Sequence, residues 1–500
     1  MELQFPKSAI SCLRRIKGEV QTLEQTQELR MPEEMPDIGS VLGAWGQVLL
    51  RGKEWRDDSM VASGGVMTWV MYRPEGEAEN VQMVEAWIPF QIKWDLPHTQ
   101  HDGRIRISPL LRSVDARTTS ARKLVARVTV SLLAEAFISE EVQVCTPDNL
   151  PEDIQVLKKT YPLLLPKEAG EKAFELDEEL TLPASCPAID KLLRFSLQPE
   201  LIDQKVLSGK VVFRGAALLH VVYLSEAGEL CAWDFEIPYS QYAQLDTDYE
   251  QEAQCRIAMA VTSLELDCDM DGKLCLKAGL TGQYVIYDRS TVEVCQDAYS
   301  LQRTVEGKSD SLELPMVLEQ KLQTITAKYT VTTPGSQIMD LAFYPDQPRL
   351  LRNGDTITVE LGGLFQVLYL DEAGTLQSAA PRWSESLDIP ADENTVLELT
   401  VSPSGTPQGS VSGMEPNLRA DILMDFSVTA TQGIPMFTGL EAGQPQQPDP
   451  NRPSLILRKK NRDSLWDMAK KCGSTVEIIQ RANHLEGEPE NGRILLIPVL

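Results

Sequence analysis

The sequence predicts a mainly β protein in which three tandem all-β units are followed by a small α+β module of order β-α-α-β. Three observations carry this prediction. Segments with paired prolines recur about 150 residues apart, β-branched and aromatic residues alternate with polar ones through most of the first 440 positions, and residues 454–500 change to helical spacing between two short apolar runs.

The repeat rests on matched positions. "LRMPEEMPDI" at 29–38 aligns with "LTLPASCPAI" at 180–189, so that Pro32 and Pro183, and Pro36 and Pro187, lie 151 apart. Tyr72 and Tyr223 keep the same offset, and "VQVC" ending at Cys145 finds "VEVC" ending at Cys295, 150 later. A third copy appears through "VLYLDEAG" at 367–374, which matches "VVYLSEAG" at 221–228 and places Tyr369 146 after Tyr223.

These offsets divide the chain into an N-terminal segment 1–27, β-units 28–146, 172–297 and 322–440, and linkers 147–171 and 298–321. A Pro-rich linker, 441–453, then precedes the module 454–500. Each unit is expected to be a small sandwich or open barrel that folds separately, because stretches such as "KVVFRGAALLHVVYL" and "TITVELGGLFQVLYL" have period two and end at Gly, Asp and Pro turns. The "EAG" stretches read as hairpin turns, with Gly228 and Gly374 supplying positive φ. Helical patterning in the body is confined to 8–30 and 152–160. Four prolines in "EAGQPQQPDPNRP" make a semi-stiff spacer expected to hold the module away from the body.

Within the module, Ser464 followed by Asp467, and Ser474 followed by Glu477, read as two capped helix starts. Leu465, Met468, Ala469 and Cys472 fall on one helix face, and Gly473 stands where a left-handed cap ends the first helix. "SLILRKK" and "RILLIPVL" suit the flanking strands.

Composition narrows the function classes. A net charge of −26 disfavours nucleic acid and anionic membrane surfaces as partners, since phosphate affinity comes from clustered Lys and Arg. Residues 454–500 differ: eight Lys or Arg against six Asp or Glu give +2, which leaves −28 on the preceding residues. No 18-residue apolar run and no signal-type apolar region occur, so the reading expects a chain without a membrane span that stays in the cytoplasm. Nine scattered Cys without a CxxC pair read as reduced thiols, and the turn "DCDMDGKLC" reads as structural.

Four His leave few candidate bases, and neither a Gly-x-Ser-x-Gly elbow nor a phosphate-binding loop is present. "HTQHD" at 98–102 reads as a solvated loop, His220 as a packed histidine, and Glu33-Glu34, Glu140-Glu141 and Glu178-Glu179 as solvated edges. No enzyme activity, metal site or cofactor is expected.

Asp463, Ser464, Leu465, Ala469, Gly473, Asn483, Leu496, Ile497 and Pro498 carry a resemblance to the LysM module. The departure falls in the loop that LysM modules use to hold glycans, where Asn461-Arg462 stands in place of Ser-Gly. The repeated "G…YL.EAG…IP" pattern resembles the SipL/SPOCS domain family of spore-coat proteins. Together these resemblances imply a morphogenetic coat protein, made in the mother-cell cytoplasm and acting at the forespore surface. Its LysM module would bind the coat-basement ATPase SpoIVA. The alternative they imply is a peptidoglycan- or N-acetylglucosamine-binding protein of cortex or cell wall.

Helix geometry leaves Trp466 partly exposed beside Lys470, an arrangement that suits an interface anchor. The LysM pattern places Arg462, Asp463 and Ser464 at one end with Asn483, His484 and Leu485. These eight residues are the expected partner- or glycan-binding set.

Overall fold

The computed structural model describes residues 2–76, 81–97, 103–249, 252–269, 272–430, 433–445 and 452–500. The "HTQHD" histidines, the tip of the "DCDMDGKLC" turn and residues 446–451 of the Pro-rich spacer lie outside them. The chain opens with β1 (Glu2–Gln4). The first unit then runs β2 (Lys7–Arg30), β3 (Ile38–Arg56), β4 (Ser59–Pro74), β5 (Gln82–Asp95), β6 (Arg104–Ser120) and β7 (Lys123–Cys145). The second repeats it as β8 (Ile154–Leu180), β9 (Ile189–Leu207), β10 (Lys210–Ser225), β11 (Leu230–Gln244), β12 (Gln254–Cys268) and β13 (Leu274–Ser300).

The third unit is more broken. It has β14 (Val305–Leu312), β15 (Val317–Thr330), β16 (Gln337–Pro345), β17 (Arg349–Asn353), β18 (Thr356–Leu370), β19 (Leu376–Ala379), β20 (Arg382–Pro390), β21 (Thr395–Ser412), β22 (Glu415–Ala430) and β23 (Ile434–Ala442). The terminal module follows as β24 (Leu455–Lys459), α1 (Leu465–Cys472), α2 (Val476–Asn483) and β25 (Ile494–Pro498), the β-α-α-β order read from the sequence. No helix among the described residues is long and apolar enough to cross a membrane.

Each unit pairs two antiparallel sheets. The first has β3-β4-β5 against β2-β7-β6, the second β9-β10-β11 against β12-β13-β8, and the third the strands around β18 against β15-β22-β21. Gly228 and Gly374 turn their hairpins at φ 79° and 76°, a region that costs a residue with a Cβ about 1 kcal/mol or more. The repeated tyrosines do equivalent work: Tyr72 and Tyr223 each donate a hydroxyl hydrogen bond, to Pro36 O and Pro187 O, both at 3.2 Å.

Several expectations are corrected. Residues 8–30 are not helical and 1–27 is no separate segment, because β2 pairs with β7 from Lys7↔Cys145 to Arg30↔Lys123. The alternation was masked because Gln21, Gln25 and Gln27 share the inward positions with Leu23 and Leu29, while Thr22, Glu24, Thr26 and Glu28 are exposed. A long ladder then overrides the helix propensity of Gln, Glu and Leu. Residues 152–160 are likewise mostly strand. Much of both expected linkers, 147–171 and 298–321, lies in β8, the end of β13, β14 and the start of β15.

These former linkers build a shared feature. The outer halves of β2 and β7, those of β8 and β13, and the pair β14–β23 are three ribbons around one core. Cys12, Val144, Leu163, Leu165, Val292, Val294, Leu312, Ile434 and Met436 fill it, with Phe5, Cys145, Ile154, Cys295 and Leu440 in a second cluster. The "VQVC" and "VEVC" repeats supply Val144, Cys145, Val294 and Cys295 to these cores.

The units also share interior rather than each having a core wholly of its own. Leu42, Trp45, Leu49, Trp69 and Met71 of the first unit pack in one cluster with Leu193, Phe195 and Leu197 of the second and Leu368 of the third. Trp69 meets Phe195 edge-on at 5.2 Å. Polar contacts cross the same seams: Gln47 Oε1 accepts from Leu197 N at 3.0 Å, and Gln283 Nε2 donates to Ile107 O at 2.7 Å. Residues 172–297 expressed alone would expose these faces and lack the first part of β8.

Candidate functional site

The terminal module is organised as its sequence dictates, with one shift. Ser464 caps α1: its hydroxyl accepts from Asp467 N at 3.1 Å, and its backbone N–H donates to Asp467 Oδ2 at 3.0 Å. The hydrogen bonds from Ser464 hold the Asp467 carboxyl below its usual range. The cap of α2 is Thr475 rather than Ser474, accepting from Ile478 N at 3.2 Å. Ser474 is buried instead and gives its carbonyl to the Tyr299 hydroxyl at 2.8 Å.

Gly473 ends α1 at φ 65°, and a Cβ there would collide with the Arg452 guanidinium, which reaches Cys472 O and Leu500 O. Leu465, Met468, Ala469 and Cys472 form the buried stripe expected of α1, with Ile479, Leu495 and Ile497 opposite.

The expected site residues divide into three groups. Asn483 is structural: its Nδ2 donates to Ile479 O at 2.8 Å and Leu496 O at 2.6 Å, and its Oδ1 accepts from Leu496 N at 2.8 Å. This clamps α2 to β25. Replacing Asn483 by Ala is expected to destabilise the module by about 2 kcal/mol, since two backbone groups of Leu496 lose their partner. Hydrogen exchange of the full chain checks it through lost protection in α2 and β25. Leu485 is half-buried and packs on the module core, and Ser464 is the cap already described.

Asp463 is held by cations, with Arg458 at 3.2 Å and Lys471 at 3.0 Å from Oδ2. His484 ends α2 in the left-handed region at φ 51°, with its side chain exposed, and Arg462 is exposed. The structure brings the two loops together. Glu488 of the second loop accepts from Leu465 N at 2.8 Å and pairs with Lys460 at 2.9 Å.

Trp466 and Lys470 face elsewhere. The Trp466 indole donates to Asp297 Oδ2 at 2.7 Å and packs edge-on against Tyr299 at 4.8 Å, and Lys470 Nζ lies 2.7 Å from Asp297 Oδ1. Burial in this contact pushes the Tyr299 hydroxyl up to about 12. The module is therefore seated on the end of β13 and is not held away from the body, because an edge-on aromatic contact and a charge-assisted fork outweigh the reach of the spacer. The sequence marked Trp466 and Lys470 as an interface anchor; nothing marked their partners Asp297 and Tyr299, nor Glu488 or Arg452.

One strand face of the module is free and aliphatic. Leu457 and Ile494 are 68% and 66% exposed on β24 and β25, with Leu455 and Leu500 also exposed. Lys459, Arg462 and Arg493 are exposed on the same module.

A second feature lies where the three units meet. A cleft of about 820 Å³ is lined by β9, the free edges of β12 and β21, and residues of β3, β6 and β16. Its charged groups are largely paired: Arg256 donates to Asp425 at 2.9 Å, and Arg194 Nε donates to Asp340 Oδ2 at 3.0 Å. His220, read from sequence as a packed histidine, binds two carboxylates there. No grouping of His, Cys, Asp and Glu suited to a metal ion occurs among the described residues. Comparison with family models, curated proteins and solved structures finds no match to this chain.

Proposed function

We propose that the chain is a non-enzymatic assembly scaffold, of the spore-coat kind that its sequence resembles, which engages a protein partner through the terminal module. The observation that carries this reading is the division of polar and apolar groups on the module. The loop groups that would serve a sugar are engaged internally, with Asp463 in ion pairs, Asn483 clamping Leu496, and Glu488 joining the two loops. The strand face of Leu455, Leu457 and Ile494 is free and aliphatic, with Lys459 and Arg493 beside it, a surface suited to an apolar and acidic protein patch rather than to hydroxyl-rich glycan. The resemblance supplies the identity of that partner, a coat-basement ATPase of the SpoIVA type, and the place, the forespore surface in the mother-cell cytoplasm.

The seat supports the same reading. A module fixed to a ribbon end at Asp297 and Tyr299 offers its partner a pre-oriented surface, which lowers the ordering cost of binding. Calorimetry of the full chain with N-acetylglucosamine oligomers tests the sugar alternative. No heat of binding is expected at micromolar concentrations, and an affinity of about −8 kcal/mol would overturn the protein-only reading. Charge reversal at Arg462 is expected to weaken the complex with the purified ATPase by about 1–3 kcal/mol while the circular dichroism stays unchanged.

A further inference from the structure

Four ionisable side chains cross the seam between the second and third units. His220 lies on β10, with Nδ1 2.6 Å from Asp234 Oδ1 on β11 and Nε2 2.9 Å from Asp340 Oδ1 on β16. Asp340 has no exposed side-chain surface and is also bound by Arg194 of β9, whose guanidinium lies over the Trp45 ring of the first unit. Opposite His220 in the β9 ladder stands the uncharged Ser196. The remaining titratable group of β16 in this region, Tyr344, accepts from Gly46 N at 3.2 Å and is neutral, since burial pushes its hydroxyl up to about 12.

Both ring nitrogens of His220 thus face carboxylate oxygens. An imidazolium donates to both; a neutral ring has one N–H and turns its other lone pair toward an anion. With the imidazolium the group of four is balanced, two cations against two anions. Without its proton the group carries one uncompensated negative charge, shared between the half-exposed Asp234 and the fully buried Asp340, and at the buried carboxylate such imbalance is costly.

We propose that His220 is a proton-operated clasp, holding the second and third units together when charged and loosening their seam, and the cleft it borders, when it loses its proton. The cleft is bounded by both sides of this clasp, with Arg194 and His220 on one wall and Leu341, Phe343 and Tyr344 on the other. Asp234 is half exposed and gives the ring a route to solvent, so the proton leaves without prior unfolding.

The sign follows from the environment. Burial opposes the charge on His220, and the hydrogen bonds to Asp234 and Asp340 overcome it, so the folded ring titrates above its ordinary value. The clasp's contribution is therefore complete below the unfolded value of about 6.5 and is lost as pH rises through the higher folded value. Loosening occurs on the alkaline side.

The test uses the full chain with ring-labelled histidine, followed by NMR across pH, together with hydrogen exchange of residues 337–345 corrected for the intrinsic rate. His220→Gln assigns the resonance. The expected result is a His220 midpoint above the ordinary range, with protection in β16 falling through the same midpoint. His220→Gln is expected to lose the step. Asp234→Asn removes one partner at a half-exposed position, and both midpoints are expected to move down together. The proposal is overturned if the protection step persists in His220→Gln, if it stays at the wild-type midpoint in Asp234→Asn, or if His220 titrates at or below the ordinary value.

Discussion

Removal of residues 1–27 is expected to leave a chain that does not reach the native state, although the sequence alone sets that segment apart from the first β-unit. The deletion takes β1 and nearly all of β2, so β7 loses its partner strand along most of its length and becomes an open edge. Phe5, Cys12 and Leu13, each at most 5% exposed, leave their buried clusters, and burying side chains such as Phe5 and Leu13 contributes about 1.5–3 kcal/mol each. Arg15 also disappears, and with it the ion pair at 3.2 Å to Glu135, which is buried and would keep only Arg106. These losses are comparable with a typical total stability of about 5–15 kcal/mol. Expression, soluble yield and thermal unfolding of the truncated chain check the expectation. Soluble material with a cooperative transition near that of the full chain would show the ribbon core to be unnecessary.

The second large effect is expected at Asp340→Ala, with a loss of about 3–5 kcal/mol, because the substitution strands a buried cation. Arg194 is 2% exposed, and its partner carboxylate has no exposed surface. Burial opposes ionisation of Asp340, but the Arg194 charge and the His220 hydrogen bond prevail and hold its carboxyl far below the usual range. Removing it leaves the guanidinium without its carboxylate and His220 with one anchor. The double substitution Arg194→Met with Asp340→Leu is expected to be less damaging than Asp340→Ala alone, since it removes both charges. Urea titration of the three chains decides it: a single variant with an unchanged midpoint would mean that the pair contributes nothing to the seam. The same measurement locates the seam's stability relative to the rest, for if the units unfolded separately the transition would split in Asp340→Ala.

Local rules made part of this molecule legible in its sequence. Proline spacing and the paired tyrosines revealed the repeat because each fixes a turn or a hydroxyl contact inside one unit, and Tyr72 and Tyr223 make the same bond to prolines four residues past the first of each pair. Ser464, Asp467 and Gly473 announced α1 because caps are settled within a single helical turn. Gly228 and Gly374 announced hairpins for a similar reason.

Contacts between distant segments decided the rest. The glutamine-rich alternation of β2 resembles a helix until β7 supplies a partner for its whole length, so propensity lost to pairing. Trp466 and Lys470 were readable as exposed anchors from helix geometry, yet Asp297 takes them both across 169 and 173 residues of sequence. His220, Asp234, Arg194 and Asp340 are unremarkable where they stand in the chain, and become one charged group only because two β-units close on each other. The sequence by itself determined the repeat, the turns and the helix caps, whose energies are local. The joined units, the ribbon core and the seat of the module came from the tertiary structure alone, because burial and charge pairing depend on which surfaces meet, and a one-dimensional pattern does not encode that meeting.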